Sequence, residues 1–222
     1  MLELLDELNV KPCRKYVDIG CGDGFYTLII GQKLQCREVY GVDIDENRTL
    51  LASKRGIITI KADLSKERLL LAENSIDIVT ALEVIEHLVN PDNMLQETYK
   101  ILKPGGYLVI TTPNLASYIN RIRLLFGFQP TYSEVSAYFD VSKICGQGTK
   151  LIGMPKPSGH LRLFTLRTLK CLLEIYGFEI VKIKASTSTF TIPKYIRIMD
   201  ELVGRISPSL GRILIIVARK PL

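Results

Sequence analysis

Seven short runs rich in β-branched residues, most of them followed by a helix-length segment, constrain this 222-residue chain more than any other feature of its sequence. They are KYVDI (15–19), EVYGVDI (38–44), GIITI (56–60), SIDIVTAL (75–82), GYLVITT (106–112), FEIVKIKAS (178–186) and RILIIVA (212–218). Their near-continuous apolar character suits strands covered on both faces, as in a parallel sheet. Helices are expected near 25–34, 46–55, 92–102, 115–126, 165–176 and 194–206, with Pro91-Asp92 and Gly105-Gly106 as start and stop signals around the third. Strand alternating with helix predicts a doubly wound α/β sheet, and the length fits one domain over 1–222. Residues 127–164, rich in Pro, Gly and Ser, break the pattern and read as an insert or lid.

Composition removes several function classes. With 47% hydrophobic and 23% charged residues the chain is not of the disordered type, and no apolar run approaches the ~18 residues of a membrane span. The acidic start MLELLDELN is unlike a leader peptide, and Cys13, Cys21, Cys36, Cys145 and Cys171 follow no CxxC or disulfide spacing. A cytoplasmic, reducing location is therefore expected. Charge is uneven: residues 1–114 carry 13 Lys/Arg against 17 Asp/Glu, and residues 115–222 carry 16 against 6. The basic second half reads as a solvated surface or as one that meets phosphate, RNA or anionic lipid.

At the first strand–helix junction stands VDIGCGDG (17–24). Glycines at 20, 22 and 24 permit a sharp turn and close approach to a ligand, and a helix N-terminus follows. A dinucleotide fingerprint needs glycine at 25, where Phe25 stands, which argues against a NAD-dependent oxidoreductase. Asp18, two residues before Gly20, suits a cationic ligand such as S-adenosylmethionine better than a pyrophosphate. Asp43, 19 residues past Gly24, suits a ribose diol, a spacing that NAD sites share. Asp63 fits an adenine amino group or a helix cap.

Residues 83–87 read EVIEH, and the chain has two histidines in all. In a helix, positions i, i+3 and i+4 share a face, so Glu83, Glu86 and His87 would converge, an arrangement that suits a cation.

Taken together, VDIGCGDG, GVDID, KADL, SIDIVTALEVIEHL, KPGGYLVITTPN and the closing RILIIVARK resemble a class I S-adenosylmethionine-dependent methyltransferase over roughly residues 10–220. The resemblance implies a Rossmann-like seven-stranded sheet with an antiparallel last strand. It implies Asp18, Gly20 and Gly22 at the methionine end of the donor, with Cys21 and Gly24 in the same loop. Asp43 would meet the ribose and Asp63 with Leu64 the adenine, Ile44 would bind the donor beside them, and Ala81, Leu82 and Glu83 would flank it. EVIEH is similar to the ExxEH segment of ubiquinone-biosynthesis O-methyltransferases and of enzymes that 2′-O-methylate small-RNA 3′ ends. That likeness implies a divalent metal held by Glu83, Glu86, His87 and a later histidine, here His160. Such mixed O/N ligands admit Mg²⁺, Mn²⁺, Zn²⁺ or Fe²⁺. If not ligated, His87 or His160 is the candidate catalytic base.

The expected acceptor is a small polyhydroxylated molecule, such as a catechol, quinone precursor or sugar, with RNA as the alternative. Thr112, Pro113 and Asn114 read as part of an acceptor pocket or as a turn. Segment 117–128, with Ile119, Ile122, Leu125 and Phe126 near helical spacing and Arg121 and Arg123 between them, reads as a core helix or as an amphipathic contact with a membrane surface. Tyr132, Tyr138 and Phe139 could stack on a base or phenol or anchor the lid.

Overall fold

In the computed structural model, which describes residues 2–8, 13–140, 157–187 and 194–222, the β-branched runs form one seven-stranded sheet. Its strands are β1 (Lys15–Ile19), β2 (Glu38–Asp43), β3 (Ile58–Lys61), β4 (Ile76–Leu82), β5 (Leu102–Pro113), β6 (Glu179–Ser186) and β7 (Ile213–Arg219). They lie in the order β3-β2-β1-β4-β5-β7-β6, with β1 to β5 parallel and β7 antiparallel to both neighbours. The expected Rossmann-like sheet is thus present. The strand order reverses between β1 and β4, and the carboxyl ends of these strands open the crevice where ligands of such sheets bind.

The helices are α1 (Leu2–Asp6), α2 (Phe25–Leu34), α3 (Glu46–Ser53), α4 (Pro91–Ile101), α5 (Tyr118–Leu125), α6 (Leu166–Ile175) and α7 (Lys194–Ile206). Their starts follow from local chemistry. Asp45 and Asn90 accept from the free backbone N–H groups of α3 and α4, and Thr165 forms a reciprocal capping box with Thr168 on α6. The Gly105-Gly106 pair, expected to stop α4, instead lies inside β5, with Gly105 at φ +80°. Helix α1 was not foreseen, and it contributes Leu4 and Leu5 to the core.

Alternation along the strands feeds two apolar layers. Val17 and Ile19 of β1 and Leu108 and Ile110 of β5 join one with Leu95, Leu169 and Leu173; Tyr16 and Val109 join the other with Leu5, Ile30 and Leu34. Helices α5 and α7 behave differently. Among their described residues the buried positions are Asn120, Asp200 and Gly204, whereas Ile122, Leu125, Ile198, Leu202 and Ile206 are exposed, as is Phe126 at the end of α5. The core-helix reading of 117–128 is corrected accordingly. Polar contacts join these helices: Tyr118 Oη donates to Asp200 Oδ1 at 2.6 Å, and Arg212 pairs with Asp200 at 2.7 Å.

The expectation of unpaired cysteines is also corrected, because Cys13 and Cys36 form a disulfide. The reason lies in the register. Lys15 pairs with Glu38 in the parallel β1–β2 ladder, so residues two positions earlier on each strand face each other, and their Cα atoms are 4.5 Å apart. Support for a reducing location from cysteine spacing is thereby removed. Cys145 lies outside the described residues. Among those described, no helix is long and apolar enough to cross a membrane.

Candidate active site

The chain leaves β1 into a tight loop whose Gly20 and Cys21 N–H groups both donate to the Val42 carbonyl of β2. Gly20 adopts φ +73°, and a Cβ there would come within 2.4 Å of Val84 Cγ2. Gly24 at φ +80° would drive a Cβ to 2.5 Å from Ile57 Cδ1, so this third glycine serves close packing against α3 and the chain leading to β3. Asp43 ties the loop to β2: its Oδ2 accepts from Gly22 N at 2.9 Å and its Oδ1 from Asp45 N at 3.0 Å.

These elements enclose a cavity of about 460 Å³. Of the residues expected at the donor, Gly20, Asp43, Ile44, Asp63, Leu64 and Glu83 line it, and His87 stands at its edge. Asp18, Cys21, Gly22, Gly24, Ala81 and Leu82 do not line it. Asp18 points to the α2 side of the sheet, where it accepts from Thr27 and Thr80 hydroxyls at 2.5 Å each. Burial raises its carboxyl to about 6, against the lowering effect of those two hydroxyls. Asp63 accepts from Ser65 N at 3.0 Å, and this bond holds its carboxyl below the usual range, so it caps the turn while lining the cavity. Arg48 and Val84 also line the cavity and were not anticipated from the sequence.

EVIEH does not form an α-helix. Glu83 takes φ +55°, and a single 3₁₀ turn follows at Ile85–His87. The two glutamates are therefore separated. Thr111 Oγ1 donates to Glu83 Oε1 at 2.8 Å, and Thr112 Oγ1 donates to Glu86 Oε2 at 2.9 Å. Because successive residues of β5 face opposite sides of the sheet, Thr111 turns Glu83 toward the cavity while Thr112 holds Glu86 beneath the insert. Glu86, His87 and His160 present one ligand atom each within 4.8 Å of one another, and Glu83 is not in this set. The expected four-ligand constellation is thus reduced to three of its members.

Glu86 is fully buried, and burial followed by the neighbouring Glu83 charge raises its carboxyl to about 8. Its Oε1 is buried without a hydrogen-bond partner, a costly condition that a positively charged ligand relieves. His160 arrives from the end of the insert, held because Leu161 N and Arg162 N donate to the Glu86 carbonyl at 2.8 and 3.0 Å. The two imidazole rings stand 4.8 Å apart. His87 Nδ1 lies 3.0 Å from the Gly159 carbonyl; a carbonyl can only accept, so Nδ1 donates here and Nε2 is the nitrogen left for another partner. Beyond His160 the insert bounds a second hollow of about 670 Å³, lined by Val135, Tyr138, Pro157 and Leu161 among others. His87 lines the first cavity and His160 the second, so the two rings, 4.8 Å apart, stand between them.

Thr112 and Asn114 have specific roles rather than generic turn roles. Thr112 holds Glu86, and buried Asn114 donates through Nδ2 to the carbonyls of Ser209 and Gly211. Tyr132 stacks edgewise on His160, with ring centroids 5.5 Å apart.

Residues 2–183 match the family model described as "Methyltransferase domain". The chain is 28% identical over 134 residues to phosphoethanolamine N-methyltransferase 3 of Arabidopsis thaliana, covering 54% of this chain and 27% of that protein. It is 30% identical over 120 residues to a ubiquinone biosynthesis O-methyltransferase of Marinobacter nauticus, covering 51% of this chain and 50% of the relative. The chain thus spans half or less of the length of these curated relatives. A solved structure of a SAM-dependent methyltransferase from Methanosarcina mazei superposes with a TM-score of 0.66 at 18% identity, over 99% of this chain and 97% of that one, a likeness of fold.

Proposed function

This chain belongs to the methyltransferase-domain family, and on that premise we propose that it moves the methyl group of S-adenosylmethionine onto a hydroxyl of a small polyhydroxylated acceptor, assisted by a divalent cation at Glu86, His87 and His160. The observation that carries this reading is the buried, unpartnered Oε1 of Glu86 beside two imidazoles, at the junction of two hollows. Three donors on one ion with bonds of about 2.1 Å lie roughly 3.4 Å apart in a tetrahedral set, so side chains that now present ligand atoms within 4.8 Å of one another would close around the ion by rotamer adjustment. When bound, the donor supplies an electrophilic sulfonium methyl and the cation supplies Lewis acidity that favours the acceptor hydroxylate.

The chain's own residues orient and deprotonate. Asp43 retains acceptor capacity facing the cavity after its bonds to Gly22 and Asp45, which suits a ribose diol. Ile44 and Leu64 offer apolar surface to an adenine ring. Transfer requires the hydroxyl proton to depart as the O–C bond forms and the S–C electron pair returns to sulfur. With His87 Nε2 ligating the cation, that proton would pass to solvent from the acidified hydroxyl; without a cation, His87 Nε2 would take it, and the two roles exclude each other. Calorimetry with Mn²⁺ alone, then with S-adenosylmethionine, separates them. Expected are stoichiometric Mn²⁺ binding, a loss of about 100-fold or more in Glu86→Gln, and unchanged donor affinity. Donor binding with no heat from Mn²⁺, Mg²⁺ or Zn²⁺ would sink the cation and leave His87 as base.

A second reading concerns the surface. Helices α5 and α7 expose apolar side chains, Leu125 at 79% and Ile206 at 83%, beside Arg121, Arg123 and Arg205. We propose that this face lies on an anionic lipid surface, bringing a lipophilic acceptor to the insert. Flotation with phosphatidylglycerol vesicles should recover the wild type and not Ile122→Ser/Leu125→Ser. Equal recovery of both would remove the proposal.

A further inference from the structure

The insert departs at 127 and returns at 157–164, and one carboxylate joins its two limbs. Glu134 Oε2 accepts from Gly159 N at 2.8 Å and His160 N at 3.0 Å, and its Oε1 accepts from Ser158 N. Three successive N–H groups converging on one carboxylate make an anion nest, and charge-assisted bonds of this kind are among the stronger ones in proteins. The side chains of Glu134 and His160 are 7% and 6% exposed, so little water competes. Glu134 Oε1 stands 3.9 Å from His160 Nδ1, too far for a hydrogen bond and close enough to orient an imidazolium or a metal-bound ring. The carbonyl of Gly159, between two of the bonded N–H groups, is the partner of His87 Nδ1.

We propose that Glu134 is the positioning residue of the histidine pair. It sets His160 through its backbone, and it sets the proton location on His87 through the Gly159 carbonyl. This inference rests on the functional reading above for what the pair does, and it stands on geometry for how the pair is held. Without Glu134, the 24-residue separation between it and Ser158 must be closed by weaker contacts, and the entropy of that closure falls on the alignment of the two rings. Outer carboxylates that orient histidine ligands are worth ~10–100-fold in metal affinity. Gly159 contributes at φ +87°, a conformation that L side chains rarely adopt, so its carbonyl direction is built into the backbone.

With two histidines in the chain, imidazole proton resonances report on this pair alone. In this 222-residue chain, a nuclear Overhauser contact between the two rings is expected. It should vanish in Glu134→Ala and persist, weakened, in Glu134→Gln, which keeps one acceptor oxygen. Affinity for Mn²⁺ should fall about 10- to 100-fold in Glu134→Ala, while affinity for S-adenosylmethionine stays unchanged, because the insert does not line the donor cavity. A contact that survives in Glu134→Ala overturns the proposal, as does a parallel loss of donor affinity, which would mark a merely structural role. If the wild type binds no Mn²⁺, the cation reading fails on its own, and the ring contact still decides the role of Glu134.

Discussion

Helices α6 and α5 are of similar length and amphipathic pattern, yet they are used in opposite ways. Helix α6 buries Leu169 and Leu173 against the sheet and leaves its charges in water. Helix α5 buries Asn120, whose Oδ1 accepts from Thr131 N and Oγ1 and whose Nδ2 donates to the Asn114 carbonyl, and it leaves Ile122, Leu124 and Leu125 exposed. Helix α7 repeats the inversion around Asp200. The sheet body is therefore held by apolar burial, which is tolerant of direction. The region around the insert is held by hydrogen bonds, which fix direction and leave its apolar faces available to other molecules.

The contrast can be broken most sharply at one leucine on each helix. Leu173→Ala should cost about 2–5 kcal/mol in urea unfolding, as cavity-forming changes in a packed layer do. If it costs less than about 1 kcal/mol, the body is not held as described. Next in size is a polar exception inside the body. Asp18 has its folded carboxyl raised to about 6 from an unfolded value near 4, so the folded state binds the extra proton between those limits. Its stabilising contribution is full below about pH 4 and is lost as pH rises through 6, roughly 3 kcal/mol in total. Comparing Asp18→Asn with wild type across pH 4 to 7 should show this slope in the wild type alone, and parallel curves would refute it. The smallest effect sharpens the comparison from the other side. Leu125→Ala should change stability by no more than about 0.5 kcal/mol, since its side chain is already in water.

Much of this architecture could be read from the chain because its signals are local. The β-branched runs of β1, β2 and β4 needed only their own residues, and the Asp45 and Asn90 caps sit beside the helices they start. What could not be read depended on partners distant in sequence. The convergence of Glu83 with Glu86 assumed helical spacing, and it failed because Thr111 and Thr112, on a different strand, draw the two carboxylates apart. Asp18 stands where expected, near the end of β1 and two residues before Gly20, but its side chain is taken by Thr27 and Thr80. Glu134 gave no sign at all, since its partners are backbone N–H groups that any sequence would supply. The apolar spacing of α5 was legible, while its outward direction was decided by Asn114 and Thr131.

Cys13 and Cys36 bracket β1, the glycine loop and α2, so the bond between them closes all three into one covalent ring. A cross-link over that span removes roughly 3 kcal/mol of freedom from the unfolded chain in the loop-entropy account. The bond sits at the amino ends of the strands, whereas the cavity lined by Gly20 and Asp43 opens at their carboxyl ends. The glycine turn beside that cavity is thereby fastened from behind, and its resistance to opening depends on the thiol–disulfide balance of the surroundings, through a linkage that touches neither cavity.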